Sequence, residues 1–228
     1  MVTQTQIKPI VYPESDGQPM ADNTLQYRWI VTIQGGIDAI FKEDPNVFVA
    51  GDLLWYPVEG NNKIRVAPDI MVAFDRPKGE RGSYLQWREN NITPCVVFEI
   101  LSPGNTLTEM AKKWQFYNHY GVEEYYLYDP DKQDLSGWIR QDQDLEVIEN
   151  IDQWISPRLK IKFVLGENEL EIYHPNGEKF VSFVELHTQK QLAERKAKLA
   201  QEKAQIAEEK ARRLAEKLKE LGINPDEI

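Results

Sequence analysis

The stretch that most constrains this chain is residues 94–101, Pro-Cys-Val-Val-Phe-Glu-Ile-Leu, apolar at nearly every position apart from Glu99. Such a run reads as a strand covered on both faces. A carboxylate in its midst must be paired, protonated or metal-bound, because an isolated buried charge is strongly unfavourable. Glu99 is therefore a candidate site residue.

Two further pieces put ionisable groups beside sequence that otherwise reads as core: Ala67-Pro68-Asp69-Ile70-Met71-Val72 and Lys112-Lys113-Trp114-Gln115-Phe116-Tyr117. The first lies in a strand expected over 64–75, where Pro68 implies a bulge or local break just before Asp69. Alternation places Arg65, Ala67, Asp69, Met71 and Ala73 on one face, and Cys95, Val97, Glu99 and Leu101 on one face of the later strand. If the two strands are neighbours, Asp69 and Glu99 converge. Two carboxylates with few nitrogen ligands nearby suit a hard cation such as Mg²⁺ or Mn²⁺. Such an ion can activate water and stabilise the charge of a phosphodiester undergoing hydrolysis. The plainer alternative is a structural carboxylate paired with an arginine such as Arg65.

The third piece falls on a helix expected over 107–120, opened by the capping-box pattern Thr106-x-x-Glu109 and stopped by Gly121. Lys112 lies on its polar stripe. Lys113 lies on the flank with Glu109, Phe116, Tyr117 and Tyr120, so it is the lysine that points toward the sheet. Its competing role is an i,i+4 partner of Glu109.

Elsewhere, residues 1–20 read as an extended arm with prolines at 9, 13 and 19. A helix is expected over 22–41, capped by Asp22 or Asn23 and weakened by Gly35-Gly36. A strand over 46–56 turns at 59–62 into the strand at 64–75. The polar segment 76–91 holds a short helix at 83–88. Short strands follow at 125–128, 135–140, 145–149, 160–165, 170–173 and 180–184. This order gives a mixed α/β domain. From about residue 185 the composition shifts to Ala, Lys, Glu, Arg and Leu. Ala193, Ala197, Ala200, Ala204, Ala207, Ala211, Leu214, Leu218 and Leu221 keep 4-3-4-3 spacing, a heptad seam on one long charged helix ended by Gly222-Ile223-Asn224-Pro225. The expected division is an arm at 1–19, the mixed α/β domain at 20–187 and a coiled-coil-like tail at 188–228. The seam points to a homodimer that becomes a monomer when 185–228 is deleted; the alternative is a solvated helix.

The formal charge is −10, but residues 189–220 carry net +4 and the chain before them −12. An acidic body is a poor nonspecific binder of nucleic acid. Cys95 is the sole cysteine, read as a small buried strand residue, so no internal disulfide or cysteine-based zinc site is available; His119, His174 and His187 lack ligand spacing. No apolar run approaches a membrane span and no signal peptide opens the chain, so a cytoplasmic protein is expected.

The runs Arg81-Gly82-Ser83-Tyr84-Leu85-Gln86-Trp87, Val97-Phe98-Glu99-Ile100-Leu101-Ser102-Pro103-Gly104-Asn105-Thr106 and Tyr120-Gly121-Val122-Glu123-Glu124-Tyr125-Tyr126-Leu127-Tyr128-Asp129-Pro130 resemble the Uma-type restriction endonuclease family, within the PD-(D/E)XK nuclease superfamily. The resemblance spans about residues 12–184. It implies a restriction-endonuclease-like mixed central sheet flanked by helices and a Mg²⁺- or Mn²⁺-dependent endonuclease acting on DNA. In that scheme Asp69 and Glu99 bind the metal. Leu101 stands where the superfamily pattern has lysine, and Lys113, on the following helix, takes that role. Glu109 and Tyr117 are the next candidates, then Asp52. Two other readings stay open: a catalytically inactive nuclease-fold protein that acts through its C-terminal helix, and a nuclease acting on RNA.

Overall fold

The computed structural model describes residues 10–15 and 17–220. Residues 1–9 of the expected arm, Leu221 of the seam and the stop at 222–225 lie outside the described residues. The chain forms two compact units, the first ending at Phe180 and the second starting at Val181.

The elements of the first unit are α1 (Thr24–Ile40), β1 (Val47–Gly51), β2 (Trp55–Tyr56), β3 (Ile70–Phe74), β4 (Tyr84–Leu85), β5 (Val96–Ile100), α2 (Leu107–His119), β6 (Glu124–Asp129), β7 (Asp134–Gln141), β8 (Asp144–Val147), β9 (Lys162–Leu165) and β10 (Leu170–Tyr173). Six strands form the main sheet in the order β1-β3-β5-β6-β7-β8. Only β5 and β6 pair in parallel there; α2 is their crossover, and the remaining pairs are antiparallel. The order is that of a mixed α/β domain.

Side-chain alternation splits the core into two layers. Ile70, Val72, Val96, Phe98, Ile100, Tyr126 and Tyr128 face α1, whose Trp29, Ile30, Ile33 and Ile37 recur at helical spacing, together with Phe163, Leu170 and Ile172 of the β9–β10 hairpin. Met71, Ala73, Val97 and Tyr125 face the other way, against Tyr117 of α2 and Trp55 and Tyr84 of the short β2–β4 pair. Glu99 lies between Phe98 and Ile100, so it points into the second layer, as does Asp69 one residue before β3.

The two helices start as their caps dictate. Asn23 accepts the Gln26 N–H at 2.8 Å, and Thr106 accepts the Glu109 N–H at 3.2 Å. Gly121, at φ +84°, follows α2 in the left-handed conformation that stops a helix. Gly36 in α1 has a packing reason: a Cβ there would fall 2.3 Å from the Phe180 ring.

Several local expectations are corrected. Trp55–Tyr56 does not continue β1: Asp52 takes a positive φ of 48°, and its N–H is shared by the Pro68 and Asp69 carbonyls. The next strand begins at Ile70, not 64, because Pro68 has no N–H to give a ladder; only the Trp55–Val66 bridge marks the segment before it. Residues 83–88 form β4 and a 3₁₀ turn at Gln86–Arg88 instead of one helix. Cys95 precedes β5 and packs with Val96 and Phe98, so it does not share the face of Val97. The strand expected at 180–184 is absent. Phe180 ends in the core, and Ser182 with Glu185 forms a reciprocal capping box that opens the long helix.

The second unit carries that helix, α3 (Phe183–Glu220), 38 residues long and exposed along nearly all its length. Residues 10–15 form no helix or strand; they lie across the first unit, with Pro13 O accepting from Tyr56 and Tyr12 ringed by Tyr56 and Trp87. Among the described residues, no helix is long and apolar enough to cross a membrane.

Candidate active site

The antiparallel register pairs Ile70 with Phe98, which sets Asp69 opposite Glu99 one step beyond the end of the ladder. The break before Ile70 leaves the Ile100 N–H without a strand partner, and Asp69 Oδ2 accepts it at 2.6 Å. Glu99 is 2 % exposed, and both of its oxygens are held: Lys113 Nζ donates to Oε2 at 2.8 Å, and the Tyr117 hydroxyl donates to Oε1. Lys113 and Tyr117 are four apart, one helical turn, so α2 presents both donors to one carboxylate.

This places two carboxylates against one ammonium. Burial, and then the charge of Glu99, push the Asp69 carboxyl up to about 8, against the opposing pull of Lys113 and the Ile100 N–H. For Lys113, burial favours the neutral amine, but Glu99 and Asp69 together outweigh it and hold its pKa above the usual lysine value. Burial and the neighbouring Glu99 drive the Tyr117 hydroxyl well above the usual phenol range, so it is a permanent donor. Near neutral pH, Lys113 is therefore charged and Asp69 holds a proton.

A cavity of about 450 Å³ opens over Asp69 and Lys113. Asp22, Asp52, Asn105 and Glu109 also line it, while Glu99 lies behind Lys113 and does not. The structure thus brings Asp69, Glu99, Lys113 and Tyr117 into direct contact or register, and adds Glu109 and Asp52 to the cavity wall. Lys113 chooses Glu99 over Glu109, and Arg65 bonds the Asn62 carbonyl instead of Asp69.

A divalent cation fits this donor set. The available groups are carboxylate oxygens, the preference of Mg²⁺ and Mn²⁺, and a cation would offset both the burial and the Glu99 charge that raise the Asp69 pKa. Among the described residues, no three His, Cys, Asp or Glu groups are clustered to enclose a metal.

Some residues of the site have no periodic signal. Asp22 is not the α1 cap; its carboxylate accepts the Ser102 hydroxyl, and its N–H bonds Gln26. Gln26 in turn donates to the Ile100 carbonyl at 2.8 Å, and Asn105 accepts the Ser102 N–H. This network pins the start of α1 to the end of β5, beside Glu99. Glu124, also missed, is a buried carboxylate on the opposite face of the sheet. It accepts from Tyr126, Ser156 and the Arg158 N–H, and so fastens the 156–158 loop.

A mixed sheet bearing this acidic cleft on one face is the layout of a nuclease-type protein. Residues 31–166 match the Uma2 family model, described as "Putative restriction endonuclease", and the chain belongs to that family. A solved structure, a "putative nuclease belonging to DUF820" from Anabaena variabilis, is similar at 20 % identity, covering 64 % of this chain and 82 % of that one, with a TM-score of 0.47. No curated protein matches the chain.

Proposed function

We propose that this protein is a divalent-cation-dependent endonuclease that hydrolyses phosphodiester bonds in DNA. The observation that carries the proposal is the convergence of Asp69 and Glu99 from neighbouring strands, with Lys113 reaching the same point from α2. Asp69 and Glu99 are the residues that would hold Mg²⁺ or Mn²⁺. When bound, such an ion lowers the pKa of a water and neutralises charge on the phosphate. Lys113, at the cavity wall, orients the attacking water and stabilises negative charge that develops on the phosphate oxygens. Tyr117 fixes the Glu99 carboxylate so that its orientation does not depend on Lys113 alone. The acidic wall of Asp22, Asp52 and Glu109 repels a bare phosphate, which supports a cation as part of the working site.

Supercoiled plasmid is the direct test. With Mg²⁺ or Mn²⁺ the protein nicks it, chelator stops the nicking, and Asp69→Asn and Glu99→Gln each abolish it. Equal cleavage by wild type and both variants would assign the activity to a contaminant. A parallel arm with structured RNA decides between the two polymers.

One observation favours a second reading, an interaction protein that keeps the fold without catalysis. Leu101 occupies the superfamily lysine position, and both Glu99 oxygens are already engaged within the protein. Calorimetric titration with Mn²⁺ separates the readings: identical heats for wild type and Asp69→Ala would support the second.

A further inference from the structure

We infer that α3 pairs with α3 of a second copy of this chain as a parallel, in-register two-stranded coil. The inference is independent of the catalytic reading. Leu214, on the heptad seam, is 63 % exposed on a helix of 38 residues. A lone helix gains nothing from large apolar side chains left in water, whereas pairing covers apolar surface.

The charge pattern names the occupant and its direction. With Ala197, Ala204, Ala211 and Leu218 at a, and Ala193, Ala200, Ala207 and Leu214 at d, every g position is a lysine: Lys196, Lys203, Lys210 and Lys217. The e positions are Glu194, Gln201, Glu208 and Ala215, with no cation among them. In a parallel pair each g faces the e of the next heptad on the partner helix. That sets Lys203 against Glu208 and Lys196 against Gln201, each twice by symmetry. An antiparallel pair would align g with g, a row of facing lysines. The helix's own ion pairs, Arg213–Glu209 and Arg212–Glu216, use only the outer b, c and f positions. Among the described residues, the g lysines and the two e glutamates make no ion pair within the helix, so they are available to a partner. Alanine at most a and d positions lets two helices approach closely, and the stems of the g lysines cover the edges of the seam, while Leu192, Leu199 and Ile206 are c residues that stay outside it.

Two full-length variants test both partner and direction: Ala193→Cys and Leu214→Cys, about 31 Å apart along the helix. Cys95 stays silent in mild oxidation, being 6 % exposed with its thiol pushed up to about 12 by burial. Each variant alone is expected to form a disulfide-linked dimer, and a mixture of the two to form no cross-product. Cross-products from the mixture, or no link in any sample, would overturn the inference. Light scattering of the untreated wild type should give the mass of two chains, with one chain or three as contrary results. Lys203→Glu should weaken the dimer about 5-fold, and adding Glu208→Lys should restore it. Weakening that the second change fails to reverse would count against the g–e pairing.

Discussion

Lys113 Nζ lies 2.8 Å from Glu99 Oε2, joining the flank of α2 to the floor of the central sheet. The carboxylate is 2 % exposed and the lysine side chain 20 %, so water screens the pair little. Removing one member of such a pair leaves the other buried without compensation. Lys113→Met is expected to lower stability by about 3 kcal/mol, read as a fall in the urea midpoint with an unchanged slope. It should also abolish plasmid nicking. A variant as stable as wild type would show that the Lys113–Glu99 pair contributes nothing to the fold.

Asp69 makes a pH prediction of unusual sign for a carboxylate. Its folded pKa is about 8, above the 3.8 of the unfolded chain, so between those values the folded state holds a proton that the unfolded state has lost. Stability therefore falls as pH rises from about 4 to 8, by at most about 1.4 kcal/mol per pH unit from this group. Asp69→Asn keeps an acceptor for the Ile100 N–H and removes the titration. In chelator, its melting temperature should exceed that of wild type at pH 8.5 and approach it at pH 5. Parallel pH curves for the two proteins would show that Asp69 titrates normally.

The parts of this site that repeat with secondary structure were legible in the chain. Period two put Asp69 with Met71 and Glu99 with Val97, and helical phase chose Lys113 over Lys112. The parts that depend on how the chain leaves an element were not. Asp52 looked like the middle of a strand, yet its positive φ ends β1 and brings it to the cavity wall. Asp22 looked like a helix cap, yet its partner is Ser102, 80 residues away. Phe180 and Phe183 read as one strand, although the first plugs the space left by Gly36 and the second already belongs to α3. Glu124 lies just before the strand expected at 125–128 and carries no periodic signal. Only the loop that returns at Ser156 and Arg158 buries it.

Glu124 and Glu99 are both buried strand carboxylates, and their different partners predict different phenotypes. Glu124 receives three donors from its own face of the sheet and lines none of the acidic cavity. Burial pushes its pKa up against those hydrogen bonds, which is the signature of a structural anchor with no exposed chemistry. Glu124→Leu orphans the buried Tyr126 and Ser156 hydroxyls and the part-buried Arg158 N–H, and should cost about 3 kcal/mol in chemical denaturation. Nicking, measured well below its lowered melting temperature, should persist. Loss of nicking with full stability would place Glu124 in the reaction instead.

Cation binding should be visible in folding, without any turnover. An ion that binds only the folded chain stabilises it by RT ln(1 + [L]/Kd), about 2.7 kcal/mol at one hundred times Kd. For a chain of this size that is a rise of roughly 5–10 °C in melting temperature. Mn²⁺ and Mg²⁺ are expected to produce it in wild type, and Asp69→Ala to lose it. Below pH 8 the ion must displace the proton held by Asp69, so the same concentration should give a larger rise at pH 8.5 than at pH 6. Tyr117→Phe leaves both carboxylates in place, so it should keep the rise while starting from a lower melting temperature. Equal shifts in wild type and Asp69→Ala would locate the cation elsewhere on the acidic surface and remove the chemical basis for hydrolysis at this site.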